Sequence, residues 1–176
     1  MLQKNCILPL ILFFLLFIMP PDISALPERA EEIAKGKEEF GDLTEKEHCI
    51  MNLMLSYTKK DIEKFSELLH IDYSYWMGKK KIWSTQEEIE KTAVLFNEAK
   101  LLYINIDTGS WTQVNDFRGT PCKKCWESTR AYTIKSQLSE NGTIYEGSGF
   151  TRYIITQVEG KYKILAIIDL GKELSQ

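Results

Sequence analysis

The hydrophobic period of this chain changes once, and that change dictates the order of its structural parts. Ahead of residue 100, apolar side chains recur at helical spacing behind capping signals; from Leu101 onward they alternate every second residue. Thr44-Glu45-Lys46-Glu47 has the form of a capping box, in which hydroxyl and carboxylate each take up one orphan backbone donor. Ile50, Leu53, Met54 and Tyr57 then follow at the spacing of one helical face. A second box, Thr58-Lys59-Lys60-Asp61, is expected to open a shorter helix with Ile62, Phe65, Leu68 and Leu69 inward. A third, Ser84-Thr85-Gln86-Glu87, starts the longest helix and presents Ile89, Ala93 and Phe96. Between them runs an aromatic extended piece, residues 71–76, stopped at Gly78. Beyond residue 100, Leu102, Ile104 and Ile106 mark one strand, and Trp126, Tyr132, Ile134 and Leu138 share a face of another. Asn141-Gly142 is a type I′ hairpin signal leading into residues 145–158, and Glu159-Gly160 turns into a last strand over 161–169. Helices first and an antiparallel meander afterwards predict an α+β domain.

The N-terminus reads differently. Lys4 precedes an apolar run over residues 6–19 broken only by Pro9, then Pro20-Pro21 and the small-residue segment Asp22-Ile23-Ser24-Ala25. That is the charge, core and cleavage site of a secretory signal, and the run falls short of the roughly 20 residues that span a bilayer. Residues 1–25 are therefore expected to be cleaved near Ala25, the protein to be secreted or periplasmic, and no stable membrane anchor to remain. Residues 26–43 form a charged leader, and residues 44–172 the domain. A mature chain of about 150 residues suffices for one domain with a real core. Lys4 and Asp22 cancel, so processing leaves the net charge at −3, with 27% charged residues, which argues against nucleic acid as a partner. Cys49, Cys122 and Cys125 remain, an odd number, so at least one is unpaired in a monomer.

The order helix, short helix, aromatic strand, long helix, long antiparallel strands resembles the NTF2-like superfamily (the SnoaL and ketosteroid-isomerase relatives). Tyr57-Thr58-Lys59-Lys60-Asp61-Ile62-Glu63-Lys64-Phe65 is similar to its helix–turn–helix, and residues 68–76 and Gly160-Lys161-Tyr162-Lys163-Ile164 are similar to other members. The resemblance covers residues 44–170. It implies a cone: N-terminal helices packed on a strongly bent antiparallel sheet, an interior pocket, and often a homodimer through the outer sheet face. The superfamily includes steroid isomerases, scytalone dehydratase, SnoaL-type cyclases and non-enzymatic binding domains, so the resemblance implies a fold and no reaction.

Tyrosine and tryptophan line pockets for flat or apolar ligands because they combine apolar area with a polar tip. Tyr73, Tyr75, Trp76, Trp111 and Tyr132, with Arg130, are the ligand-binding candidates; packing in core and rim is the alternative. Alternation puts Tyr73 and Tyr75 on one strand face and Trp76 on the other. Where the resemblance places a donor tyrosine and a catalytic aspartate, this chain has Leu53 and Tyr75 or Trp76, which cannot take those roles. Asp72 and Asp107 remain as catalytic candidates, with solvated strand ends as their alternative. His48 and His70 fit surface and capping roles, so neither a metal nor another cofactor is expected. In Pro121-Cys122-Lys123-Lys124-Cys125-Trp126 the cysteine pair opens a strand instead of a helix, so it lacks the dipole that activates redox thiols; a structural disulfide is expected. Asn141-Gly142-Thr143 also fits a glycosylation sequon. The reading is an exported domain that binds a small, partly apolar ligand or a protein partner without catalysis. A lyase or isomerase using a pocket carboxylate, and a thiol redox protein using Cys122 and Cys125, are the alternatives.

Overall fold

A computed structural model describes residues 44–138, 142 and 144–171. The segments expected to be a secretory signal and a charged leader, and Asn141, lie outside the described residues. Helix α1 (Glu45–Lys59) is capped by Thr44, whose hydroxyl accepts from the Glu47 N–H at 3.4 Å. It ends where Lys60 adopts a left-handed φ of 54°. The next helix, α2 (Ile62–Leu68), is capped by Asp61, which accepts from the Lys64 N–H at 2.9 Å. The expected box at Thr58 is therefore corrected: Thr58 lies inside α1 and donates to the Met54 carbonyl at 3.1 Å. The first helix runs through it, and the carboxylate at the end of the motif does the capping. Strands β1 (Leu69–Met77) and β2 (Lys80–Ser84) follow, then α3 (Thr85–Glu98). At its start the Glu87 carboxylate accepts from both the N–H and the hydroxyl of Ser84, at 2.9 and 2.7 Å.

The remaining described elements are strands: β3 (Ala99–Ile106), β4 (Thr112–Phe117), β5 (Thr120–Leu138), β6 (Ile144–Val158) and β7 (Lys161–Gly171). The sheet order is β2-β1-β7-β6-β5-β3, with β4 also on β5. Pairing is antiparallel except between β1 and β7, so the expected antiparallel sheet is a mixed one. The last strand of the chain slots in beside the first, which no local signal specifies. Register shifts interrupt β6 against β7 at Phe150/Thr151 and Ile154/Ile155; such bulges bend a sheet.

The three helices pack on one side of the sheet. Phe65 and Phe96 meet Tyr57 edge-on, at centroid distances of 5.5 and 5.4 Å, over Ile50, Leu53, Ile155 and Ile164. A second apolar cluster, Cys125, Ile154, Ala166 and Ile168, lies on the other side. It is covered by the β4–β5 hairpin. β5 leaves its pairing with β6 at Cys125, and the hairpin tip reaches back to β1. There Phe117 meets Trp76 edge-on and Arg118 lies 3.8 Å over the Trp76 ring while donating to the Gly78 carbonyl at 2.8 Å. No helix among the described residues is long and apolar enough to cross a membrane.

Phe65 is fully buried between two aromatic rings. Phe65→Ala should lower unfolding stability by about 3–5 kcal/mol. Ile71→Ser, at a side chain that is 84% exposed, should change it by no more than about 0.5 kcal/mol. Urea denaturation of the two variants checks both.

Candidate functional site

Helices α1 and α3 share with the sheet an interior that is not purely apolar. Alternation in β1 turns Tyr73 and Tyr75 to the helix side. Tyr57 comes from α1, Tyr132 from β5 and Tyr153 from β6, and α3 adds Glu88. Tyr73 is 1% exposed and Glu88 6%. Among the described residues, Tyr73 Oη and Glu88 Oε2 are buried with no hydrogen-bond partner. Burial disfavours the charged carboxylate and pushes Glu88 up to about 7, with the neighbouring Tyr73 hydroxyl pulling back. Burial also holds the tyrosines above their ordinary range, and the negative charge of Glu88 adds to this for Tyr57, Tyr73 and Tyr75. The interior thus offers neutral phenol donors around a carboxyl that exchanges its proton near neutrality.

Its rim is formed by Tyr75, which stacks on Trp83 at 5.1 Å and donates to Asp169 Oδ2 at 3.4 Å. Gly149 lets β6 pass closely there: a Cβ at that position would lie 2.7 Å from the Gly171 carbonyl oxygen and 3.2 Å from the Tyr132 ring.

Arg130 stands apart from this cluster. Its side chain is 1% exposed, and both of its terminal nitrogens donate to the Glu47 carboxylate, at 2.7 and 2.5 Å. Further bonds go to Ser128 Oγ and to the carbonyls of Asp107 and Gly109. Trp111 lies 4.7 Å under the guanidinium and donates to Glu47 at 2.7 Å. Gly109 allows this loop to press on the arginine, since a Cβ would meet Ser128 Oγ at 3.0 Å. Burial raises the Glu47 pKa, but the hydrogen bond and charge of Arg130, then the Trp111 N–H, outweigh it, and the net shift is downward.

The expected ligand-binding set therefore divides. Tyr73, Tyr75 and Tyr132 come together in the interior; Arg130 and Trp111 form the Glu47 network; Trp76 lies on the outer side under Arg118. Asp72 and Asp107 are at the surface, Asp72 beside His70 at 3.8 Å and Asp107 accepting from Asn105. Cys122 and Cys125 are paired, with Cα atoms 5.6 Å apart, where β5 bends away from the sheet. Cys49 is free and buried, its thiol pushed up to about 12 by burial. Among the described residues no group of His, Cys, Asp and Glu is placed to hold a metal ion.

Glu88 escaped the sequence reading. The periodicity of α3 predicts an inward face of Ile89, Ala93 and Phe96, whereas the buried residues are Glu88, Thr92 and Phe96. Phe96 anchors both readings; counting back in fours from it reaches Thr92 and Glu88, while apolarity favours the neighbouring stripe. Isolated buried carboxylates are uncommon, so residue type pointed the wrong way.

No protein-family model and no curated protein matches this chain. Solved structures do. An NTF2-like superfamily protein from Salmonella enterica superposes with a TM-score of 0.60 at 10% identity, covering 75% of this chain and 93% of its own. A conserved protein from Planctomyces limnophilus gives 0.60 at 12%, covering 70% and 91%. A hexachlorocyclohexane dehydrochlorinase gives 0.56 at 8%, covering 72% and 82%. The chain has the NTF2-like fold.

A buried glutamate and a half-buried one give stability opposite dependences on pH. Glu47 is depressed in the folded state, so its contribution is present above the unfolded carboxyl value and is lost as pH falls through the folded one. Glu88 is raised, so stability declines as pH climbs from the unfolded value of about 4.3 towards 7 and levels off above. The decline amounts to roughly 3 kcal/mol. Urea titrations from pH 3 to 8 should show a maximum between these limbs. Glu88→Gln should flatten the upper limb. Glu47→Gln should flatten the lower and cost about 3 kcal/mol at neutral pH, because the buried guanidinium loses its counter-charge.

Proposed function

We propose that this chain is an exported NTF2-like domain that binds a small, partly apolar ligand in its tyrosine-lined interior without turning it over. One observation carries the reading: Tyr73 Oη and Glu88 Oε2 are buried in an aromatic interior where, beyond the Tyr73 hydroxyl beside Glu88, no polar group of the described residues meets their hydrogen-bonding capacity. Buried polar groups in folded proteins have partners, and those that lack one point to a water or ligand that supplies it. An aromatic interior with a few convergent polar groups is the usual make-up of a small-molecule site. The same interior location favours a small molecule over a protein partner.

Titration of the mature protein with a neutral bicyclic aromatic alcohol such as 2-naphthol, followed by intrinsic fluorescence, tests this. Binding should weaken at least tenfold in Glu88→Leu and in Tyr73→Phe. Both variants should unfold at the same or higher urea concentration than the parent at pH 8, because each removes an orphaned polar atom (a gain of up to about 1–3 kcal/mol). Variants that lose stability and still bind would overturn the reading.

A second reading is a lyase or isomerase, with Glu88 replacing Asp72 and Asp107 as the working carboxylate. It is favoured by a carboxyl near 7 among phenol donors, the pairing that proton transfer beside a developing oxyanion requires. Turnover of a halogenated or hydroxylated cyclic substrate, abolished in Glu88→Gln, would select it over binding alone.

Export is proposed from the Lys4-to-Ala25 segment. Secreted material should begin at about residue 26 by N-terminal sequencing and carry one disulfide, Cys122–Cys125, on peptide mapping. A mature chain still starting at Met1 would remove the export proposal.

A further inference from the structure

The chemistry of the interior restricts its ligand further, provided the ligand-binding reading holds. Five tyrosines belong to it, and among the described residues the carboxyls near them are Glu88 in the depth and Asp169 beside Tyr75. The causes acting on Glu88 are burial and Tyr73, with no lysine or arginine among them. The cation that Tyr153 feels is Arg130, and that charge is already paired to Glu47 by two hydrogen bonds. An anionic ligand would therefore enter beside two acidic groups with nothing to neutralise it.

We infer that the interior selects a small organic cation, an alkylammonium, held over the tyrosine faces and against the Glu88 carboxylate. Aromatic faces attract ammonium groups through the ring quadrupole, the more so when both are withdrawn from water. Tyr73 and Tyr75 share one strand face and lie close enough to Tyr57 of α1 to act on one another, while Tyr132 of β5 and Tyr153 of β6 belong to the same buried cluster. Glu88 is 6% exposed and lacks a partner on one oxygen. A cation beside it favours the ionised form, so binding drives the carboxyl proton into solvent and ammonium replaces it as the neutralising charge. Glu88 is faced by Tyr57, Tyr73 and Tyr75, with Asp169 acting on Tyr75 and Tyr132 further out. The tyrosines stay neutral across the physiological range, which leaves Glu88 as the group whose proton the cation displaces.

The test compares choline with its uncharged isostere 3,3-dimethylbutan-1-ol by calorimetry on the whole mature chain, from pH 6 to 8. Choline should bind at least tenfold more tightly than the alcohol, gain about fivefold or more in affinity across that range, and release a proton, seen as a heat that depends on the buffer's ionisation enthalpy. Glu88→Gln should abolish both the pH dependence and the proton release and weaken choline about tenfold or more, so that choline loses most of its advantage over the alcohol. Equal or tighter binding of the alcohol, or affinity that falls with pH, overturns the cation inference while leaving a ligand-binding interior in place. Failure of choline to bind at 10 mM overturns it as well. If 2-naphthol also fails to bind, the underlying ligand-binding reading falls with it.

Discussion

The pairing of Arg130 with Glu47 holds the first helix to the sheet, and the character of the interior follows from it. Glu47 sits in the first turn of α1, Arg130 in the middle of β5, and the carbonyls of Asp107 and Gly109 bring the β3–β4 loop into the same set of bonds. A guanidinium buried to this degree is tolerated because its donors are used and its charge is met bidentately. The acidic first turn also suits the helix dipole. The result is local neutrality at that end of the fold. The positive charge nearest the tyrosines is committed elsewhere, and the carboxyl of Glu88 is left as the unbalanced group.

That imbalance is costly to folding and therefore informative. The caps at Thr44 and Ser84, the apolar faces of the helices and the strand alternation agree with one arrangement. Glu88 violates it, placing an unpaired carboxyl where Ile89 or Ala93 would have served the core. Local conflicts of this kind in an otherwise consistent structure tend to mark function. The solved structures of the same fold include a dehydrochlorinase alongside proteins without a stated activity, so the fold accommodates such a group and leaves its use to the surrounding residues.

The helices and strands were largely legible because their signals are local. Capping residues at Thr44 and Ser84, and the change of period near Leu101, give element order and type without reference to anything distant. Tyr73 and Tyr75 could be placed together by alternation alone. What could not be read depends on partners far apart in sequence. Arg130 stands two residues before Tyr132 in β5 and was named with it as a ligand-binding candidate, yet its bonding is set by Glu47, 83 residues earlier. The parallel pairing of β1 with β7, and the fall of Trp76 to the outer cluster beneath Arg118, are likewise products of tertiary placement. Glu88 was missed for a different reason: two helical stripes end on the same Phe96, and the more apolar one was not the buried one.

The hairpin over the outer sheet face has a consequence for the order in which the molecule assembles. Its closing contacts join Phe117 and Arg118 to Trp76 and Gly78, and they cross a surface built by β6 and β7, which are synthesised later. Those contacts must wait for the whole sheet, as non-local pairings generally do. The Cys122–Cys125 bond has no such requirement, because its partners are three residues apart. In the oxidising compartment that the proposed export implies, the bend can thus be set covalently before the apolar patch of Ile154, Ala166 and Ile168 exists. The cover is then shaped before there is anything to cover, which shortens the time during which that patch stands open to other chains.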